Sequence, residues 1–160
     1  MSGFSSITIP EGRAFRITAD GTCIHDRTAK LKYRLHTNKS NYIVDGLADD
    51  NTGDVVAPVD YIDGIHVWEI NENAFQNTNI RAVILPKTVG YLTAKSFDNC
   101  PNLEMVTFKR SKKDGSFSMT STIFTNCPNL KIINVAWAEG EVGGAPWGAT
   151  NATIHYNYTG

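Results

Sequence analysis

Three times between Val67 and Val135 the chain runs through the same order of apolar and polar positions: Phe75-Gln-Asn-Thr-Asn-Ile80, Phe97-Asp-Asn-Cys-Pro-Asn-Leu103 and Phe124-Thr-Asn-Cys-Pro-Asn-Leu130. Val83, Val106 and Ile133 follow three positions beyond each pattern, and Ile70, Leu92 and Met119 lie five positions before each Phe. Val67 and Val89 stand eight before the first two rings, while Ala74, Ser96 and Ile123 directly precede the three. The segments ending Val83-x-Leu85, Val106-x-Phe108 and Ile133-x-Val135 alternate as strands require. The Phe residues are 22 and then 27 residues apart, a period at which one strand plus a short return makes a unit that cannot bury its own apolar face. Stacked units put like residues in columns, one Phe on the next.

Packing alone accounts for the Phe column, because Phe→Ala in a core costs about 3–5 kcal/mol. Asn99 and Asn126 mark turns, since Asn tolerates left-handed backbone, and Pro101 and Pro128 then stop any helix from running on. Cys100 and Cys127 read as small buried hydrophobes sharing a column. A metal pair is disfavoured because no further Cys or His recurs at ligand spacing.

The stretch Val55 to Phe75 resembles the lead-in of the BspA-like leucine-rich repeats, and Leu85-Pro-Lys-Thr-Val-Gly-Tyr-Leu-Thr-Ala-Lys-Ser-Phe-Asp-Asn-Cys-Pro-Asn-Leu103 is similar to one whole repeat of that family. The third unit departs from the pattern: Lys109-Arg-Ser-Lys-Lys-Asp-Gly115 replaces the usual Pro-x-x-Val lead and reads as a polar loop or hairpin. The expected fold class is α/β, a short leucine-rich-repeat solenoid of parallel strands with short helical returns. It has a β-rich N-terminal cap at 1–54, about three repeats at 55–135 and a C-terminal β-strand cap at 136–160.

In the N-terminal part, Ile7 and Ile9 start a strand, Phe15-Arg-Ile17 and Cys23-Ile24 flank an Asp20-Gly21 turn, and Leu31, Tyr33 and Leu35 alternate along another strand. Tyr42 to Leu47 resembles the strand that leads into the first BspA-like repeat. At the other end, Ile154, Tyr156 and Tyr158 fall on one face of a strand that, with Trp147, is expected to cover the last repeat. The wording Pro146-Trp-Gly-Ala-x-Asn-Ala-x-Ile154 also resembles the ends of repeat proteins encoded by bacteriophages and prophages.

At 160 residues the chain predicts one domain. A formal net charge of −1 gives no reason to expect nucleic acid. Three cysteines form no disulfide framework, which suits a reducing compartment. The start, Met-Ser-Gly-Phe-Ser-Ser-Ile, lacks the basic and apolar regions of a secretory signal, so export by that route is not expected. No apolar run is long enough for membrane insertion. Asp45, Asp49, Asp50 and Asp54 invite a calcium hypothesis, but the EF-hand spacing fails: Gly53 falls where a ligand is needed and Asp54 where Gly is needed.

No nucleophile elbow, Walker loop, dinucleotide fingerprint, zincin motif or paired Cys-x-x-Cys occurs, and His25, His36, His66 and His155 have no partner at repeated spacing. The sequence therefore predicts no enzyme and no cofactor. If Val83, Val106 and Ile133 point inward, Ala82, Met105 and Ile132 face out in one column and Ile84, Thr107 and Asn134 in another. Arg81, Glu104 and Lys131 would form a column of alternating charge. The candidate interaction surface is thus Ala82, Met105, Ile132 and Ile84, with the basic loop residues Lys109, Arg110, Lys112 and Lys113. The resemblance implies a non-enzymatic structural and protein-binding module of a larger assembly. The expected setting is a phage virion put together in the host cytoplasm, as head decoration, tail or baseplate, contacting other virion proteins or a host surface receptor. A BspA-like adhesin at a cell surface is the alternative.

Overall fold

The computed structural model describes residues 13–17 and 23–160, the strands of 13–27 by backbone alone. The expected strand at Ile7 and Ile9 and the Asp20-Gly21 turn lie outside the described residues. Thirteen strands are described: β1 Arg13–Ile17, β2 Cys23–Arg27, β3 Leu31–Leu35, β4 Tyr42–Leu47, β5 Val55–Val56, β6 Tyr61–Ile62, β7 Ile65–Ile70, β8 Ala82–Leu85, β9 Tyr91–Leu92, β10 Met105–Phe108, β11 Ser118–Met119, β12 Ile132–Val135 and β13 Thr153–His155. β1 and β2 form an antiparallel pair.

The chain winds between two sheets, about four coils in all. One sheet runs β13-β12-β10-β8-β5, every neighbour parallel, with Ala82, Met105 and Ile132 in register and Val83, Val106 and Ile133 in the next row. The other runs β11-β9-β7-β4-β3; it is parallel except for the β3–β4 hairpin that begins it. Ile70, Leu92 and Met119 line up there as the spacing requires. Val67, Ile70, Val83, Val89, Leu92, Val106 and Ile133 are fully buried between the sheets. Residues 31–47 thus continue the second sheet, and β13 extends the first.

The corner from the second sheet to the first carries the Phe column. Phe75 and Phe97 stack with centroids 5.2 Å apart and planes within 4°, and Phe97 and Phe124 follow at 5.9 Å and 27°. Backbone bonds knit the corners: Phe75 N donates to Ser96 O at 2.8 Å, Phe97 N to Ile123 O at 3.2 Å and Phe124 N to Trp147 O at 2.9 Å. Gly148 stands where earlier coils place Phe, and a Cβ there would lie 2.9 Å from the Ser121 carbonyl. The Phe column therefore ends, and Trp147, fully buried, closes the core against Trp137 and Phe108.

The expected short helical returns are a correction. Among the described residues there is no α-helix, only a single 3₁₀ turn at Lys112–Asp114. The reason is in the corner backbone: Asn73 and Asn77 have φ of 57° and 62°, Lys95 and Asn99 have 57° and 55°, and Asn126 has 56°. Left-handed residues on both sides of a Phe reverse the chain too sharply for a helix to propagate. No helix among the described residues is long and apolar enough to cross a membrane.

Candidate functional site

The outward residues of the first sheet are unequal. Ala82 is buried at 7% exposure, Met105 and Ile84 are half-buried, and Ile132 is exposed at 36%. Ala82 therefore leaves the exposed surface expected of it. Its methyl sits in register between Val55 and Met105, whose larger side chains flank it. Thr107 and Asn134, also expected outward, are buried too. Asn134 Nδ2 donates to Thr107 Oγ1 at 3.2 Å and its Oδ1 lies 3.0 Å from His155 Nδ1, so the column becomes a hydrogen-bonded ladder. Beside it the column of alternating charge forms, with Arg81 Nε 3.4 Å from Asp54 and its Nη1 3.8 Å from Glu104, ahead of Lys131.

In the third-unit insertion Lys109, Lys112 and Lys113 are exposed, whereas Arg110 is not. Arg110 Nε donates to Ser116 O at 2.8 Å and Nη1 to Lys87 O at 2.7 Å, and its guanidinium lies 5.1 Å from the Trp68 ring centroid. A cation over an indole face is favoured electrostatically. Arg110 is a brace holding the insertion to the second sheet, not a free basic group. Gly90 makes the room: a Cβ there would come within 2.2 Å of the Trp68 ring and 2.9 Å of Arg110 Nε.

That brace forms one wall of an open cleft of about 460 Å³ lined by Asp60, Tyr61, His66, Trp68, Lys87, Thr88, Arg110 and Asp114. β6 and β7 make a tight hairpin through Asp63 and Gly64, both with left-handed φ. Tyr61 pairs across from His66, and Trp68 follows two residues on, so the three rings share a face. Tyr61 is 60% exposed, and His66 meets Trp68 edge-on at 6.3 Å. The Thr88 hydroxyl is buried without a partner among the described residues. Sequence reasoning missed this cleft, although Tyr-Ile-Asp-Gly-Ile-His carried the Asp-Gly hairpin signal.

At the corners the polar side chains are spent on one another. Asp98 accepts from Gln76 Nε2 at 2.8 Å, from Thr125 Oγ1 and from Asn126 Nδ2 at 3.1 Å. Burial acts to raise its pKa, but the bonds from Thr125, Gln76 and Asn126 outweigh it and hold the carboxyl below the ordinary range. Cys100 and Cys127 are buried as their column implied, and their thiols also bond the preceding corner. Cys100 Sγ reaches Phe75 O and Cys127 Sγ reaches Phe97 O, both at 3.1 Å. The adjoining Cys100 and burial push the Cys127 thiol up.

The four aspartates of 45–54 do not converge. Asp45 pairs with Arg34 at 2.9 Å, Asp50 with Lys30 at 2.9 Å, Asp49 with Lys32 at 4.0 Å and Asp54 with Arg81. Among the described residues no group of three His, Cys, Asp or Glu is placed to hold a metal ion.

Two stacked parallel sheets joined by a Phe corner define a β-solenoid of the leucine-rich-repeat kind. Residues 66–139 match the family model described as BspA type Leucine rich repeat region (6 copies), so this stretch is similar to that family. No curated protein matches the chain by sequence. Among solved structures, the crystal structure of a leucine-rich repeat protein from Bacteroides capillosus ATCC 29799 at 2.00 Å resolution is similar at a TM-score of 0.47 and 13% identity, over 80% of this chain and 94% of that one.

Proposed function

We propose that the repeat stack is a non-enzymatic protein-binding module whose contact surface is the open face of the five-stranded sheet. The observation that carries this reading is Ile132, a large apolar side chain left 36% exposed on a regular parallel ladder. Half-buried Met105 adjoins it, Arg81, Glu104 and Lys131 run beside the column, and Ile84 lies one outward position along. An apolar centre with a charged border is the anatomy of a protein interface. Lys109, directly after β10, extends the border, whereas Lys112 and Lys113 lie in the insertion that Arg110 ties to the second sheet. Met105→Glu with Ile132→Glu leaves the monomer folded and abolishes binding to its partner or incorporation into its assembly. Unchanged incorporation overturns the surface, and loss of folding shows these side chains to be core.

The setting we propose is a bacteriophage virion, with the module on head, tail or baseplate and other virion proteins or a host receptor as partner. Its support is the phage-like wording from Pro146 to Ile154. Mass spectrometry of purified, nuclease-treated particles detects the chain if this is right, and its recovery only in cell-envelope fractions rejects it. That second outcome fits a BspA-like surface adhesin, the reading favoured by the repeat match over 66–139.

A further inference from the structure

We infer that the cleft beside the β6–β7 hairpin binds neutral sugar rings. The cleft lies against the second sheet, among residues distinct from the protein-contact face argued above. Its volume of about 460 Å³ falls among those of small-molecule sites. Tyr61 is the most exposed large apolar side chain among the described residues, and the hairpin backbone fixes its position opposite His66.

The charges of the cleft select against an ionic ligand. Two cations, Lys87 and Arg110, face two carboxylates, Asp60 and Asp114. Arg110 is moreover committed to the carbonyls of Ser116 and Lys87, and Asp114 accepts the Ser111 amide and hydroxyl at 2.8 and 3.1 Å. A strong field for a phosphate, a sulfate or an ammonium group is therefore missing.

What the lining offers instead is a flat aromatic plate, a carboxylate that accepts hydroxyl protons at Asp60, and a desolvated hydroxyl at Thr88 that lacks a partner among the described residues. Buried polar atoms in native proteins are nearly always hydrogen-bonded, so an orphan at a cleft wall marks a place where something bonds to it. A pyranose ring meets all three demands at once. Its C–H face packs on the electron-rich face of Tyr61, and its hydroxyl rim bonds to Asp60 and Thr88.

The test uses the full chain with hexamers of α-glucose, β-glucose and N-acetylglucosamine, followed by saturation-transfer NMR and by tryptophan fluorescence. At least one hexamer binds with transfer concentrated on ring-face protons. Tyr61→Ala weakens it about tenfold, while Tyr61→Phe, which keeps the plate, stays within about threefold. Thr88→Val weakens binding about threefold to tenfold, as loss of one hydrogen bond does. An unchanged melting temperature in the Tyr61 variants shows that the fold is intact. The proposal is overturned if no hexamer binds up to about 10 mM, if Tyr61→Ala binds as well as the parent, or if a sulfated hexamer or a capped neutral hexapeptide binds in preference.

Discussion

The Phe corner and the hairpin cleft sit on the same coils, yet they treat polar groups in opposite ways. At the corner Asp98 takes three donors, each described thiol finds a carbonyl of the coil before, and Asn99 bonds Asn77 at 2.7 Å. In the cleft Tyr61 stands 60% exposed and the Thr88 hydroxyl has no partner among the described residues. Polar groups at the corner are consumed by bonds between successive coils, whereas Tyr61 and Thr88 in the cleft are left with bonding capacity to spare, and a binding protein needs that surplus.

The comparison breaks most readily at the rings. Phe97 lies between two other Phe residues, so Phe97→Ala opens a cavity with rings on both sides and costs about 3–5 kcal/mol, measured as a fall in the urea midpoint. If the cost stays under about 1 kcal/mol, the corner is less tightly packed than its stacking distances imply. Gly90→Ala comes next at about 1–3 kcal/mol, because the new methyl drives Trp68 and Arg110 apart. It also uncouples the 110–115 insertion from the second sheet, which limited proteolysis detects as a new cut.

The third test is acid. The Asp98 carboxyl is held below its unfolded value, so the folded state binds fewer protons than the unfolded state in that range. Its contribution is therefore complete above the ordinary aspartate pKa, about 3.9, and disappears as pH falls through the lower folded value. Asp98→Asn turns an amide toward its three donors, lowers stability at neutral pH and flattens the acid limb of a stability-against-pH curve. An unaltered acid limb in the variant would mean that other groups set it. The smallest effect is at the cleft: Tyr61→Ala changes unfolding free energy by less than about 0.5 kcal/mol, because the ring is mostly exposed. A larger loss would make Tyr61 part of the scaffold and erase the contrast between the regions.

Much of the scaffold was legible because repetition states it several times over. The Phe spacing, the Ile70-Leu92-Met119 row and the inward Val83-Val106-Ile133 row all reappear as parallel registers. The absence of helical returns was not legible, because left-handed φ at a residue such as Lys95 is imposed by stacking and is not written in its own preference. Arg110 looked like one more charge in a basic run. Its burial depends on Trp68 and on the space above Gly90, both remote in sequence, and no local pattern links them. Ala82 showed the limit of alternation: the register gave its direction correctly, but exposure also depends on neighbour size.

The sulfur column also gives the stack a built-in clock. Cys100 is sealed completely and Cys127 nearly so, at 0% and 3% exposure, and each thiol is tied to a carbonyl one coil back. An alkylating reagent in native buffer can reach either sulfur only when its corner swings open, so the labelling rate counts openings. Cys127 lies one coil nearer the carboxy-terminal end of the column and should label ahead of Cys100, ranking the breathing of successive coils without any denaturant.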